Sequence, residues 1–272
     1  MEIYMIWIIY VICYIARLIE YFWIRTDKTM IGEAVLHKII GIIVLVVALK
    51  ITHMTMTQIG FSKTAVVKKL ISGLEFGLGL FVLGYGIEIA TAVASGNFVT
   101  LNFYVSSYEV DTNVATGTSI SLLLICIIGN IINVLMEEGI FRGLFLYLAE
   151  AKGKFMPAAL FSSILFGFWH IVGPIRNYID GISNLGSTVA NTIMLVVTSG
   201  LVGFMFCLMK KITGNLYMGM AAHFVNNTIT NLLHVITKTG VDEMMFMRIT
   251  IAQTVSFLII LVVYLKRQRY RG

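Results

Sequence analysis

Eight apolar stretches, each long enough to cross a lipid bilayer, follow one another along almost the whole chain. A helix needs roughly 20 apolar residues to span the hydrocarbon core. The stretches cover residues 3–24, 35–56, 70–94, 118–148, 155–173, 188–209, 214–236 and 249–265. Backbone groups in lipid must bond within their own segment, which favours helices. The sequence therefore predicts an all-α, polytopic transmembrane bundle of about eight spans, forming a single membrane domain over residues 1–272.

The composition agrees with a membrane protein and excludes other classes. Apolar residues make up 58% of the chain and charged residues only 12%, which is outside the usual range of soluble domains. The three cysteines are odd in number and lie in apolar runs, so no disulfide framework is expected. The first apolar stretch has no basic region before it and no cleavage site, so it is expected to be retained as a span. The net charge of +6 comes from short basic clusters between spans, so nucleic-acid binding is not predicted.

The positions of the basic residues predict the orientation in the membrane. Lys and Arg in short loops stay on the cytoplasmic side, and they follow every second span: Lys63, Lys68 and Lys69; Lys152 and Lys154; Lys210 and Lys211; Lys266, Arg267, Arg269 and Arg271. The longest loop, 95–117, carries Glu109 and Asp111 but no basic residue. We expect both termini in the cytoplasm and the protein in the cell membrane.

Polar and ionisable residues within three spans are the candidates for chemistry, because each costs roughly 2.5 to 3.5 kcal/mol to place in a bilayer. They are Asn130, Asn133, Glu137, Glu138 and Arg142 in the fourth span, His170 in the fifth, and His223, Asn226, Asn227, Asn231 and His234 in the seventh. Asn226, Asn231 and His234 are expected to bond between helices.

Helical spacing divides the residues of the fourth span between two faces. Glu138 and Arg142 are four residues apart and can pair, whereas Glu137 shares its face with Asn133. An arginine that neutralises one of two adjacent carboxylates leaves the other available for proton transfer. We therefore assign Glu137 to chemistry, and Glu138 with Arg142 to structural support. The alternative is that all three form one packing network.

Glu137, His170 and His223 are predicted to lie at a similar depth. At about 1.5 Å per residue, they lie roughly 14 to 20 Å from the cytoplasmic ends of their spans. A shared depth predicts one polar cavity, open toward the cytoplasmic side.

The residue types in this cavity suit amide hydrolysis by an activated water. Glu137 and His170 can hold and deprotonate the water, with the Phe166 ring packed beneath the imidazole. His223 and Asn227 can donate to the developing oxyanion. A zinc ion held by Glu137, His170 and His223 is the competing assignment, which we place second because the H-E-x-x-H spacing is absent.

Three short motifs in these spans resemble those of the CPBP family, the CAAX-protease and bacteriocin-processing membrane peptidases that include type II CAAX prenyl endopeptidases. Glu137-Glu138-Gly139-Ile140-Phe141-Arg142 matches E-E-x-x-x-R, Phe166 to His170 matches F-x-x-x-H, and His223 to Asn227 matches H-x-x-x-N. The resemblance covers about residues 118–236, which we take as the catalytic core.

The resemblance implies a glutamate-dependent intramembrane endopeptidase, with the site roles given above and with the family's metalloprotease alternative. It implies a membrane-associated peptide, a lipopeptide or a prenylated CAAX-type protein as substrate. Bacterial relatives are associated with bacteriocin processing and self-immunity. Two other functions stay open from the sequence: a non-catalytic bacteriocin-immunity or regulatory scaffold of the same fold, and a small transporter that uses the buried ionisable residues.

Overall fold

A computed structural model describes residues 2–29, 31, 34–106, 115–151, 153–238 and 240–270 of the chain. Four residues used to predict topology, Lys152, Glu109, Asp111 and Arg271, lie outside the described residues. The α-helices are α1 (Glu2–Ile19), α2 (Leu36–Ile51), α3 (Val66–Ala94), α4 (Ile120–Glu137), α5 (Leu146–Glu150), α6 (Phe155–Trp169), α7 (Val172–Ile179), α8 (Leu185–Thr213), α9 (Tyr217–Leu232) and α10 (Met245–Arg269). Shorter turns of helix extend α1: a π-helix over Glu20–Ile24 and a 3-10 helix over Thr26–Lys28.

Six helical segments of the described chain are long and apolar enough to cross a membrane. They are Ile3–Lys28, Val66–Ala94, Ile120–Glu150, Phe155–Ile179, Leu185–Thr213 and Met245–Arg269. The other two predicted spans are α2 and α9, which have 16 residues each and are about 24 Å long, less than a typical hydrocarbon core. The helical membrane bundle is confirmed, whereas the count of eight spans and the cytoplasmic termini stay predictions.

Four short strands accompany the helices of the bundle. β1 (Thr100–Phe103) pairs antiparallel with β4 (Leu233–Ile236), and β2 (Val105–Ser106) pairs antiparallel with β3 (Ala115–Gly117). The predicted seventh span, 214–236, thus ends as a helix at Leu232 and continues as β4. Pairing with β1 satisfies the backbone groups of β4 that the helix no longer bonds.

The fourth predicted span also departs from a continuous α-helix. Residues Glu138–Phe145 form a π-helix between α4 and α5. Two polar side chains bind carbonyl groups of this segment: Ser162 Oγ donates to Phe141 O at 2.6 Å, and Lys210 Nζ donates to Arg142 O at 2.7 Å. π-helical turns inside α-helices often occur at functional sites, and this one begins at the second glutamate of the first motif.

Glycines allow the helices around this segment to approach closely. A Cβ atom on Gly139 would lie 2.7 Å from the Leu45 side chain of α2, so α2 approaches this segment closely. A Cβ on Gly167 of α6 would lie 2.5 Å from the backbone oxygen of Val196 in α8, and one on Gly73 of α3 would lie 2.3 Å from that of Met218 in α9. Close packing fixes the relative positions of the helices that carry the three motifs.

Candidate active site

Glu137 lies buried at the last position of α4, with a hydrogen bond to each carboxylate oxygen. Trp169 Nε1 donates to Oε1 at 3.1 Å, and Asn133 Nδ2 donates to Oε2 at 3.3 Å. The contact with Asn133 confirms that these two residues share a helix face. Two neutral donors fix the orientation of the carboxylate and leave lone pairs for a further partner.

Glu138 begins the π-helix and faces Arg142, as the spacing predicts. The guanidinium Nη1 lies 3.2 Å from Glu138 Oε1, and both side chains are buried. The guanidinium carbon of Arg142 also lies 3.7 Å from the centroid of the Phe166 ring. A buried carboxylate is thus compensated by a cation, which in turn lies over an aromatic face.

His223 of α9 lies between the two glutamates and joins them into one cluster. Its Nδ1 is 2.9 Å from Glu138 Oε1, and its Nε2 is 3.7 Å from Glu137 Oε2. The Phe206 ring stacks on the imidazole with a centroid distance of 5.2 Å and an interplanar angle of 23°. His223 therefore contacts both the glutamate assigned to chemistry and the one assigned to structural support, and that assignment stays a prediction.

His170 lies directly after the end of α6, where the predicted fifth span, 155–173, turns and resumes as α7. Its Nδ1 is 2.9 Å from Phe166 O, and a carbonyl can only accept, so Nδ1 carries a proton. In the neutral ring, Nε2 then holds a lone pair. The Phe166 ring lies edge-on to the imidazole at 4.7 Å, which confirms the predicted packing.

Asn227 follows His223 by one turn of α9 and is half-buried. Its Oδ1 accepts from Asn226 Nδ2 at 3.1 Å, so its own Nδ2 is the group left to donate elsewhere. The helical spacing places this amide on the same face as His223.

The predicted zinc ligands do not form a metal site as they stand. Among the described residues, no group of three or more His, Cys, Asp and Glu side chains is arranged to hold a metal ion. Nδ1 of His223 faces the Glu138 carboxylate, and Nε2 of His223 lies 3.7 Å from Glu137 Oε2.

The structure adds residues that the sequence did not indicate. Trp169 and Phe206 contact Glu137 and His223 directly. Trp169 is part of the second motif, but as an aromatic residue in an apolar run it gave no sign of a polar role. Phe206 occupies an apolar run of α8, and nothing in its spacing distinguishes it from a packing residue.

Residues 119–229 match the family model described as type II CAAX prenyl endopeptidase, Rce1-like. The matched segment is less than half of the chain, but it contains all three motifs and every predicted site residue. Through this segment the chain is similar to the type II CAAX prenyl endopeptidases. Its six long apolar helical segments indicate a multi-pass membrane protein. Curated proteins include no significant match to the chain.

The match to this family model confirms the resemblance drawn from the motifs. The matched segment begins just before α4 and ends within α9. The helices α1 to α3 and α10 lie outside it, although α1 and α2 pack against the segment that carries Glu137.

Proposed function

We propose that the chain is an intramembrane endopeptidase that hydrolyses a peptide bond of a membrane-associated peptide, lipopeptide or prenylated CAAX-type substrate. The observation that carries this proposal is the contact of His223 with both Glu137 and Glu138, inside the segment that matches the family. Two buried carboxylates and an imidazole in contact are a candidate functional site, and their place inside the matched segment favours chemistry over a purely structural ion-pair network.

In the proposed reaction, Glu137 and His170 activate a water molecule. Glu137 is oriented by its two neutral donors, and Nε2 of His170 has a lone pair when the ring is neutral. One of these groups takes a proton as the water oxygen bonds to the carbonyl carbon of the substrate. The C–N bond then breaks, and the departing amine nitrogen takes up that proton.

His223 and Asn227 stabilise the negative charge that forms on the carbonyl oxygen. Nδ1 of His223 donates to Glu138, so Nε2 can donate only when the ring carries both protons. That form balances the cluster, since two carboxylates then face one guanidinium and one imidazolium. Asn227 adds a neutral donor through Nδ2.

The surroundings of the site support a substrate that approaches within the membrane. Glu137 and His170 lie in apolar helical segments long enough to span a bilayer, and His223 of the shorter α9 lies 3.7 Å from Glu137. We place the cleaved bond toward the cytoplasmic side of the cell membrane, as the basic loops predict. Membrane lipid is then both the solvent of the protein and the phase that concentrates its substrate.

The test is cleavage of a membrane-associated peptide by purified protein in lipid nanodiscs. Glu137→Gln keeps the size of the side chain but removes its basic group, so we expect kcat to fall by at least about 100-fold. The matched control is Glu75→Gln, because Glu75 lies exposed on α3. Activity that survives exhaustive chelation would exclude zinc.

A non-catalytic immunity or regulatory scaffold makes the opposite prediction for the same variant. If Glu137→Gln folds and retains full biological function in cells, the proposed hydrolase is wrong and the scaffold replaces it. Intact motif residues at every position support the enzyme over the scaffold.

A further inference from the structure

The Trp169 indole, which donates to Glu137, is enclosed by residues of the first two helices. Only 1% of Trp169 is exposed. Its ring centroid lies 5.9 Å from that of Tyr14 in α1 and 5.8 Å from that of His37 in α2. The residue that orients the proposed base is therefore itself held by helices outside the segment that matches the family.

Arg17 of α1 makes the most polar of these contacts. Its guanidinium carbon lies 4.5 Å from the centroid of the Trp169 ring, and Nη2 donates to the Tyr21 hydroxyl at 3.3 Å. Arg17 is buried, and its Nε has no hydrogen-bond partner among the described residues. A buried cation with so few partners needs another reason for its position, and the indole face supplies one.

A hydrogen-bonded scaffold holds the neighbouring ring of His37. The Glu20 carboxylate accepts from the backbone N–H groups of Leu36 and His37 at 2.7 and 2.6 Å, and it lies 2.5 Å from His37 Nδ1. These bonds satisfy the first amides of α2, which have no partner within the helix. The end of α1 and the start of α2 are thereby fixed against the indole.

We propose that Trp169 and Arg17 are positioning residues for Glu137, an inference that rests on the proposed function. Arg17 stabilises the indole in the plane that aims Nε1 at Glu137 Oε1. A cation over the ring face also draws electron density from the indole, which strengthens its N–H as a donor. Glu137 is then fixed in the orientation that a base requires.

Kinetics of two single variants and their double variant test this chain of contacts. Trp169→Phe keeps an aromatic ring but removes the N–H, so kcat should fall about 10- to 100-fold with KM within about 2-fold. Arg17→Gln should lower kcat by about 3- to 10-fold. The double variant should be no slower than Trp169→Phe alone, because Arg17 acts through Trp169.

Two exposed residues provide matched controls. Trp23 is 74% exposed, and Arg267 donates only to a backbone oxygen at the surface. Trp23→Phe and Arg267→Gln should leave kcat unchanged. If the fold decrease in kcat of the double variant equals the product of the two single decreases, Arg17 acts independently of Trp169 and the proposal is wrong.

An indole NMR signal makes the test independent of cleavage. The chain has three tryptophans, so Trp7→Phe with Trp23→Phe leaves Trp169 as the only indole. Both Glu137→Gln and Arg17→Gln should move its N–H proton resonance upfield by weakening the hydrogen bond. An unmoved resonance in both would overturn the positioning role. If the wild-type protein is inactive but the resonance still moves in both variants, the proposed function is wrong, whereas the contact between Trp169 and Glu137 stands.

Discussion

Two buried clusters in this protein each combine two carboxylates, an arginine and a histidine. They differ in how many of their polar atoms have a bonding partner. The candidate site contains two glutamates, an arginine and a histidine: Glu137, Glu138, Arg142 and His223. A second cluster joins α3, α10 and β4 through two carboxylates, an arginine and a histidine: Glu88, Asp242, Arg248 and His234. Composition alone therefore does not distinguish a reactive cluster from a structural one.

Nearly all polar side-chain atoms of the second cluster have a bonding partner. Arg248 Nη1 lies 3.0 and 3.1 Å from the two oxygens of Glu88, and Nη1 and Nη2 lie 2.7 and 2.5 Å from those of Asp242. His234 Nδ1 faces Asp242 at 3.2 Å, while Nε2 lies 3.2 Å from Tyr104 O. Both nitrogens of the imidazole thus face acceptors, and the Tyr104 ring stacks on it at 3.9 Å.

The candidate site keeps unused bonding capacity. Neither Nη1 nor Nη2 of Arg142 makes a hydrogen bond to a described residue, although Nη1 forms the ion pair with Glu138. Nε2 of His223 is 3.7 Å from Glu137, too far for a direct hydrogen bond. Free donors and acceptors in a buried position are costly to the fold. The second cluster bonds three elements to one another and leaves only Arg248 Nε without a hydrogen-bond partner among its described side-chain atoms, whereas the candidate site leaves two donors of Arg142 without one.

Breaking the second cluster should have the largest effect on stability. Arg248→Gln leaves Glu88 and Asp242 buried without their cation, so we expect a loss of about 3 to 5 kcal/mol in the free energy of unfolding. Unfolding by SDS in mixed micelles measures this loss, with Arg267→Gln as the exposed control. The kcat of the fraction that remains folded should be unchanged. A stable but inactive Arg248→Gln protein would assign this cluster to the chemistry.

Replacing the histidine of each cluster by glutamine sharpens the comparison. His223→Gln should lower kcat by about 100- to 1,000-fold, since it removes a donor to the oxyanion. His234→Gln should leave kcat within about 2-fold and reduce the free energy of unfolding by about 1 to 3 kcal/mol, because it leaves buried acceptors unpaired. Parallel cleavage and unfolding assays separate the two outcomes. Equal effects of both variants on kcat would contradict the distinction between the clusters.

The candidate site was largely predictable from the sequence because its residues are rare in apolar helices. Glu137 and His223 stand out in their spans, and alternating spans of known length predict their common depth. The pairing of Glu138 with Arg142 follows from a spacing of four residues. Each of these predictions uses only local geometry or residue type.

The parts that could not be predicted depend on contacts between distant residues. The π-helix is supported by Ser162 and Lys210, which lie 21 and 68 residues from the carbonyls that they bind. Arg248 and Glu88 are 160 residues apart, and the sequence interpretation did not single out either of them. An ionisable residue in a span indicates that a partner exists, but only the packing of helices selects that partner.

The pH dependence of stability should reveal the smaller contribution of Asp242, which lies outside the spanning segments. Burial opposes its ionised form, but the hydrogen bonds from Arg248 and His234 outweigh it and lower the pKa of this carboxyl. A lowered folded-state pKa adds stability that is complete above the unfolded value, about 3.9, and is lost as the pH falls through the folded value. Unfolding midpoints from pH 7 down to pH 3 should therefore drop more steeply for the wild type than for Asp242→Asn, which lacks the titrating group. Because Asp242 belongs to the second cluster, the pH profile of kcat should be the same for both proteins. A pH profile of kcat that changes in Asp242→Asn would show that the two clusters are coupled.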